Sequence, residues 1–286
     1  MPSHTHCHIC DSSETRILDV RFEVHACRAC GHEFSALPPE RQETYSPEYF
    51  REVHKKWFAH PNVALFRRIH DAVEEQVGAK AGSSFLDVGC GQGDLLRYMK
   101  QAGSRVKLFG IDLVQNSDEG VTYYQGDFVS FPFTQKFDVV SGLMVIEHVG
   151  DPRGFIQKIS SVLQPQGLVI MNTINAGGFL YSFARALRSA GMRGPFERLY
   201  DKHHLEHYKT HSLRKLFELE GYDILSHRTH NFPLKALDVP EGLQQGGLAR
   251  VGNTLLAFIY RVGVSCAFFF TSRLGGVHQT IVCKKK

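Results

Sequence analysis

Charge of one sign never accumulates in this chain of 286 residues. Its 33 Lys and Arg face 29 Asp and Glu, and no basic run is longer than the terminal Lys284-Lys285-Lys286. Proteins that grip nucleic acid carry a clustered basic footprint, so such a partner is disfavoured. A long apolar run free of charge is also missing. The best candidate, "NTLLAFIYRVGVSCAFFFTSRLGG" around residues 251–275, is interrupted by Arg261 and falls short of a spanning helix. It reads as a core or dimer helix, with peripheral docking on a membrane surface as the alternative. No secretory leader is visible, because His, Asp and Glu break up the first apolar residues, and a cytoplasmic protein is expected. Internal repeats and low-complexity tracts are absent too. What remains is an ordinary globular composition, 43% hydrophobic and 22% charged, with core enough for one large domain and a small appendage.

Cysteine is scarce over most of the chain: beyond residue 30 only Cys90, Cys266 and Cys283 occur, far apart. The other four are crowded into the opening stretch as two Cys-x-x-Cys pairs, Cys7 with Cys10 and Cys27 with Cys30. Two such knuckles suit a tetrahedral zinc site with four thiolate ligands. Gly31 follows the second knuckle, where a sharp backbone turn is wanted. Between the knuckles "TRILDVRFEVHACR" alternates like a short hairpin, with Ile17, Val20, Phe22 and Val24 as strand candidates. This is the sequence of a zinc ribbon over residues 1–36, whose metal supplies the folding free energy that so small a core lacks. A disulfide pair or a redox Cys-x-x-Cys is the alternative, but the βαβ context of the redox motif is missing. His4, His6 and His8 read as a solvated terminus rather than as replacement ligands.

Residues 37–60 are polar, aromatic and punctuated by proline. They read as a linker that docks Tyr45, Tyr49, Phe50 and Trp57 on something larger. Pro61 then opens a helix of about sixteen residues with Val63, Phe66, Ile69, His70 and Val73 on one stripe. From there strands and helices alternate. "SSFLDVG" is a strand and "DLLRYMKQA" a helix from Asp94; "RVKLFGID", "VTYYQGD" and "FDVVSGL" are the next strands. "DPRGFIQKISSVLQPQG" is a helix closed by Pro165 and Gly167, and "LVIMNTI" a fifth strand. "SLRKLFELEGY" is a helix ended by Gly221, followed by the strands "DILSHRTHN" and "HQTIVCKK". Such alternation implies an α/β fold, a parallel sheet with helices on both faces.

The richest chemistry lies in "FLDVGCGQGDLL". Gly89, Gly91 and Gly93 stand between a strand and its helix, where the backbone can turn tightly and bring N–H groups close to a ligand. The spacing G-x-G-x-G differs from the G-x-G-x-x-G of dinucleotide binders. Three features support it: Asp87 on the preceding strand, Asp112 at the end of the next, and "GDF" at the end of the third. An acid at the second strand end is where a ribose diol is held.

As a set, "LDVGCGQGDLL", "GIDL", "QGDF", "FDVVSGLMVIEHVGDP" and "LQPQGLVIMNTIN" resemble the successive motifs of class I S-adenosylmethionine-dependent methyltransferases. The branch is that of the ubiquinone-type O-methyltransferases and many small-molecule enzymes, and the resemblance covers residues 61–286. It implies a Rossmann-like seven-stranded sheet whose last two strands form an antiparallel hairpin. It also implies S-adenosyl-L-methionine as the methyl donor, held by Asp87, Gly89, Gly91 and Gly93 at its methionyl end. Asp112 would hold the ribose hydroxyls, Asp127 and Phe128 the adenine, and Leu143 would line the place where methionyl tail and substrate meet. One departure stands out: only Leu113 to Gly120 separate the second strand from the third, too few for the usual crossover helix. The adenosine side is then less covered unless ribbon or linker packs there.

The cofactor carries an activated methyl group, so the protein's work is alignment, with a general base if the acceptor is a hydroxyl. "VIEHVGDP" offers His148 beside Glu147 beyond the fourth strand. "LYDKHHLEHYKTHSL" offers His203, His204, His207 and His211 ahead of a helix. His204 is the first candidate base and His148 the second. Residues 175–209 read as a lid with Phe179, Leu180, Phe183 and Leu187 inward. Its arginines Arg185, Arg188, Arg193 and Arg198 either meet a substrate anion or form a solvated face. The expected reaction is methyl transfer to a small molecule in a biosynthetic pathway, at oxygen before nitrogen or carbon. The alternatives are a methyltransferase that uses the ribbon to read nucleic acid or protein, and one acting on a lipid-linked substrate at a membrane.

Overall fold

In the structure, a computed structural model, residues 5–36, 60–78, 80–200, 203–231 and 275–286 are described. The linker aromatics Tyr45, Tyr49, Phe50 and Trp57, together with Cys266 and residues 251–274, lie outside them. Among the described residues no helix is long and apolar enough to cross a membrane.

The main sheet follows the alternation in the sequence. Its strands are β4 (Ser84–Val88), β5 (Lys107–Asp112), β6 (Val121–Gln125), β7 (Phe137–Leu143), β8 (Leu163–Ile174), β10 (Tyr222–His230) and β11 (His278–Lys285). Their order is β10-β11-β8-β7-β4-β5-β6. The five strands from β4 to β8 run parallel, while β11 lies antiparallel to both β8 and β10. This is the seven-stranded sheet with a terminal antiparallel hairpin. Successive side chains alternate between the two faces. Phe85, Val139 and Ile170 meet Leu65, Phe66, Ile69 and Val73 of α1 (Val63–Gln76), and Leu95, Leu96 and Met99 of α2 (Asp94–Gln101). Leu86, Val140 and Met171 meet Phe155 and Ile159 of α3 (Pro152–Val162), and Leu213 and Phe217 of α6 (Thr210–Leu219).

A second sheet forms at the amino-terminal side. The hairpin of β1 (Thr15–Asp19) and β2 (Val24–Cys27) continues into β3 (Glu33–Ser35), and β3 pairs with β9 (Glu206–His207), which lies just ahead of α6. Cys7, Ile9, Cys27, Cys30 and Phe34 join the same apolar cluster as α3 and α6.

Several local expectations are corrected. The helix of residues 152–162 stops at Val162 rather than at Pro165, and β8 begins at once. A residue that precedes proline avoids the helical region, so Gln164 is already extended strand. Val20 and Phe22 lie in the turn between β1 and β2, and Val20 is exposed. In α4 (Phe179–Ser189) the inward residues are Tyr181 and Ala184, while Phe179 and Phe183 are exposed and stack on each other. Tyr181 wins the inner position because its hydroxyl reaches the Leu199 carbonyl, 2.9 Å away, and Ala184 lets α5 (Gly194–Leu199) come close. The β5–β6 connection has no helix, as its eight residues require. Asp118 ties it instead to Arg97 of α2 at 3.2 Å and to the Tyr123 hydroxyl at 2.8 Å.

Candidate active site

The parallel strands bring their carboxyl ends to one edge, where open α/β sheets form their sites. At the end of β4 all three loop glycines are left-handed: Gly89 at φ 63°, Gly91 at 54° and Gly93 at 80°. Side chains are excluded for a second reason. A Cβ at Gly89 would lie 2.5 Å from a Val145 methyl, and one at Gly93 would strike the Tyr123 hydroxyl. The turn delivers the Gly91 N–H to Asp112 Oδ2 at 2.8 Å, while the Val114 N–H takes Oδ1 at 3.0 Å. Burial raises the Asp112 pKa despite these two donors. Asp87 sits beneath the loop, wholly buried, with one oxygen receiving the Ser141 hydroxyl at 2.6 Å. Burial pushes its pKa up to about 7 against that bond, and the nearby Asp112 adds to the rise.

The other cofactor candidates lie along the same edge. Asp127 follows β6 and accepts from the N–H groups of Val129 and Ser130 at 3.3 and 3.2 Å. Phe128 is buried edge-on against Phe155, 5.4 Å between centroids. Leu143 ends β7 half-buried, in register with Asn172 of β8.

The two candidate bases meet. His148 and His204 are 56 residues apart in the chain, yet their rings are 4.8 Å apart. His148 sits in a 3-10 turn (Ile146–His148) beyond β7, and its Nδ1 donates to the His203 carbonyl at 2.7 Å. The Leu205 N–H donates to the Glu147 carbonyl at 2.8 Å, so the segment after His203 is laced to that turn. Glu147 is fully buried behind the pair. One oxygen receives the Thr173 hydroxyl at 2.8 Å, and the other has no hydrogen-bond partner among the described residues. Burial lifts its pKa to about 7. Glu147, His148 and His204 each offer a ligand atom within 4.8 Å of the others.

The other histidines of that segment go elsewhere. His207 is fully buried against Tyr200, and burial drives its pKa down to about 3, which keeps the ring neutral. His211, in the first turn of α6, lies against Gly31 of the ribbon. Sequence reasoning missed a polar group on β8, β10 and β11: His230 Nε2 lies 2.8 Å from the Thr280 hydroxyl and 3.1 Å from the Asn172 amide. Asn172 is in register with Leu143, and the signal was there in the polar ends of "IMNTI" and "HRTHN".

In the ribbon the four thiols converge. Cys7 and Cys30 sulfurs are 3.5 Å apart and Cys10 and Cys27 sulfurs 3.6 Å, with all four within 4.8 Å of one another. A tetrahedral zinc with Zn–S bonds of about 2.3 Å requires sulfurs roughly 3.8 Å apart, and a disulfide requires about 2.05 Å. The four cysteines are positioned for a metal ion, and zinc is the ion that fits. The Cys7 thiol is pulled down to about 4 by its bond to Cys30, against burial, and the Cys30 thiol is pushed up by the same contact and by burial.

Of the four arginines expected on a lid over residues 175–209, two are engaged within the chain. Arg185 contacts Glu33 of the ribbon at 3.1 Å, and Arg188 pairs with Asp19 and donates to the Leu18 carbonyl. These two therefore neutralise buried ribbon acids.

A glycine loop, strand-end acids and this strand order together define a class of protein, the Rossmann-like methyltransferases. Comparison with known families agrees. The family model described as methyltransferase domain matches residues 59–227, more than half of the chain, and the chain belongs to that family. It is similar to the ubiquinone biosynthesis O-methyltransferase of Leptothrix cholodnii, 31% identical over 147 residues, 44% of this chain and 61% of the relative. The enzyme of the same name from Pseudomonas fluorescens strain Pf-5 is 34% identical over 139 residues, 42% of this chain and 59% of the relative. The chain thus spans about three fifths of the curated relatives it matches. Among solved structures, a putative sarcosine dimethylglycine methyltransferase from Galdieria sulphuraria shares the fold. Its TM-score is 0.54 and its identity 12%, covering 84% of this chain and 99% of that one.

Proposed function

We propose that this chain transfers the methyl group of S-adenosylmethionine to a hydroxyl of a small-molecule acceptor. Residues 61–286 form the catalytic domain in this reading, 175–209 its lid, 37–60 a linker and 1–36 a zinc ribbon. The observation that carries it is the meeting of His148 and His204 on the sheet edge that also bears the glycine loop and Asp112. The loop N–H groups and Asp87 receive the methionyl end, Asp112 the ribose hydroxyls, and Asp127 and Phe128 the adenine. The donor supplies the activated methyl group; the chain orients it, excludes water and takes up the acceptor's proton.

His204 is the base, and His148, tethered through Nδ1 to the His203 carbonyl, aligns it. A small acceptor is favoured over nucleic acid or protein because Arg185 and Arg188 are engaged by Glu33 and Asp19 within the chain rather than held open for a polyanion. The likeness to ubiquinone biosynthesis O-methyltransferases favours oxygen as the methylated atom. The test is formation of S-adenosylhomocysteine with a panel of phenolic and other hydroxyl acceptors. His204→Ala should lower the rate by roughly 10²–10⁴ and leave donor affinity unchanged. An unaltered rate would remove His204 from the chemistry.

A second reading rests on the proximity of Glu147, His148 and His204. A divalent cation held there would acidify the acceptor hydroxyl and make a base unnecessary. Activity lost to a chelator and restored by a divalent ion that accepts imidazole ligands, such as iron(II) or nickel, with ribbon zinc content unchanged throughout, would favour this reading over the base.

A further inference from the structure

The segment that carries His204 is gripped from two sides. On the sheet side, Leu205 donates to the Glu147 carbonyl and His148 to the His203 carbonyl, while the Tyr208 carbonyl receives the Ala176 N–H at 2.8 Å and the Gln279 amide at 2.9 Å. On the other side stands the ribbon. Ser35 N–H donates to the Leu205 carbonyl at 2.7 Å, and the β3–β9 register pairs Glu33 with His207 and Phe34 with Glu206.

At the centre of that contact is Glu206, fully buried, two residues beyond His204. Its Oε1 meets His8 Nδ1 at 2.5 Å and its Oε2 meets His32 Nε2 at 2.5 Å. His8 lies inside the first cysteine knuckle, between Cys7 and Cys10, and His32 follows the second knuckle by two residues. One carboxylate therefore ties both halves of the metal site to the strand next to His204. Glu33 closes the edge of the contact, with Lys209 Nζ at 2.8 Å and the Tyr200 hydroxyl at 2.5 Å.

A two-residue strand cannot hold itself in place, since isolated pairings of a few residues are marginal in water. The knuckles that hold β9 depend in turn on metal for their fold. The glycine loop has its own supports in Ile111, Asp112 and Asn116, none of which belongs to the ribbon. We infer that Glu206 is a positioning residue through which the metal-loaded ribbon sets His204 against His148, and that the donor pocket is independent of it. This deepens the methyl-transfer reading and rests on it for the importance of the histidine pair.

The test is amide hydrogen exchange on the full zinc-loaded chain, read beside calorimetry with S-adenosylhomocysteine as the probe. Three samples are compared with the wild type: protein stripped of zinc by a chelator, Glu206→Ala and Glu206→Gln. Stripping and Glu206→Ala should each speed exchange across residues 203–209 at least tenfold. Exchange across 84–112 and S-adenosylhomocysteine affinity should change less than twofold. Glu206→Gln, which keeps the shape and one acceptor but loses the charge, should retain zinc and fall between. Unchanged protection of 203–209 in stripped protein would overturn the inference. So would equal loss of protection throughout the main sheet, which would make the ribbon a general stabiliser. If Glu206→Ala does not fold, the stripped protein and Glu206→Gln decide. Failure of wild type to bind the probe would sink the methyltransferase reading alone, because the exchange result stands without it.

Discussion

Asp87 and Asp112 occupy the same edge, and each carries its proton more tightly than a free carboxyl because it has left water. Asp87 is the clearer case, with a pKa of about 7 despite the Ser141 hydroxyl that donates to it. A cationic methionyl ammonium beside it would favour the carboxylate and lower that pKa. Donor binding should then release a proton. Affinity should rise as pH climbs from 6 towards 8 and level off once Asp87 is ionised without help. Calorimetry in two buffers of different ionisation enthalpy reads this directly; identical heats in both would place Asp87 outside the donor site. At this scale the sequence was informative where chemistry forces one residue type. The glycines were legible because only glycine fits positive φ under Val145 and Tyr123. The cysteines were legible because paired thiols at that spacing have few other uses. Glu206 was not legible, since a glutamate before a histidine carries no signal until His8 and His32 close on it.

Elements were readable where a period ran for several turns. The stripe of α1 and the apolar run of β4 name their own conformation, while the terminal antiparallel hairpin was expected from the family resemblance rather than from any period. Reading failed where two faces competed. In "FLYSFARALRS" both Phe179/Phe183 and Tyr181/Ala184 recur at helical spacing, and the choice was made by the Leu199 carbonyl and α5, neither of which lies within the helix. It failed again for β9, whose partner strand lies some 170 residues away and whose two residues give no period. The start of α2 offers a test of how far its loop is fixed. Gly93 caps the helix at φ 80° with the Tyr123 hydroxyl where a Cβ would go. Gly93→Ala should therefore cost about 1–2 kcal/mol from the backbone alone, more with the collision, and donor affinity should fall with it. A thermal midpoint and affinity both equal to wild type would mean the loop has room to relax.

On the scale of the whole molecule, the two ends of the main sheet are covered differently. On the β6 side the crossover helix is missing, and Asp118, Arg97 and Tyr123 hold a short connection with Leu113 and Val114 exposed. The ribbon does not fill that gap among the described residues. It packs on the α3 and α6 side, against β9, where the histidine pair lies. In the proposed reading the donor half of the site is thus left to the sheet, and the acceptor half is built by sheet and ribbon together. Calorimetry with S-adenosylmethionine decides whether the glycine loop and Asp112 form the donor site. One donor should bind per chain. Asp112→Ala, which removes a charged acceptor of the ribose hydroxyls, should bind about 10- to 100-fold more weakly, as the loss of hydrogen bonds to a charged group implies. Undiminished binding by Asp112→Ala, or no binding by the wild type, would contradict the account.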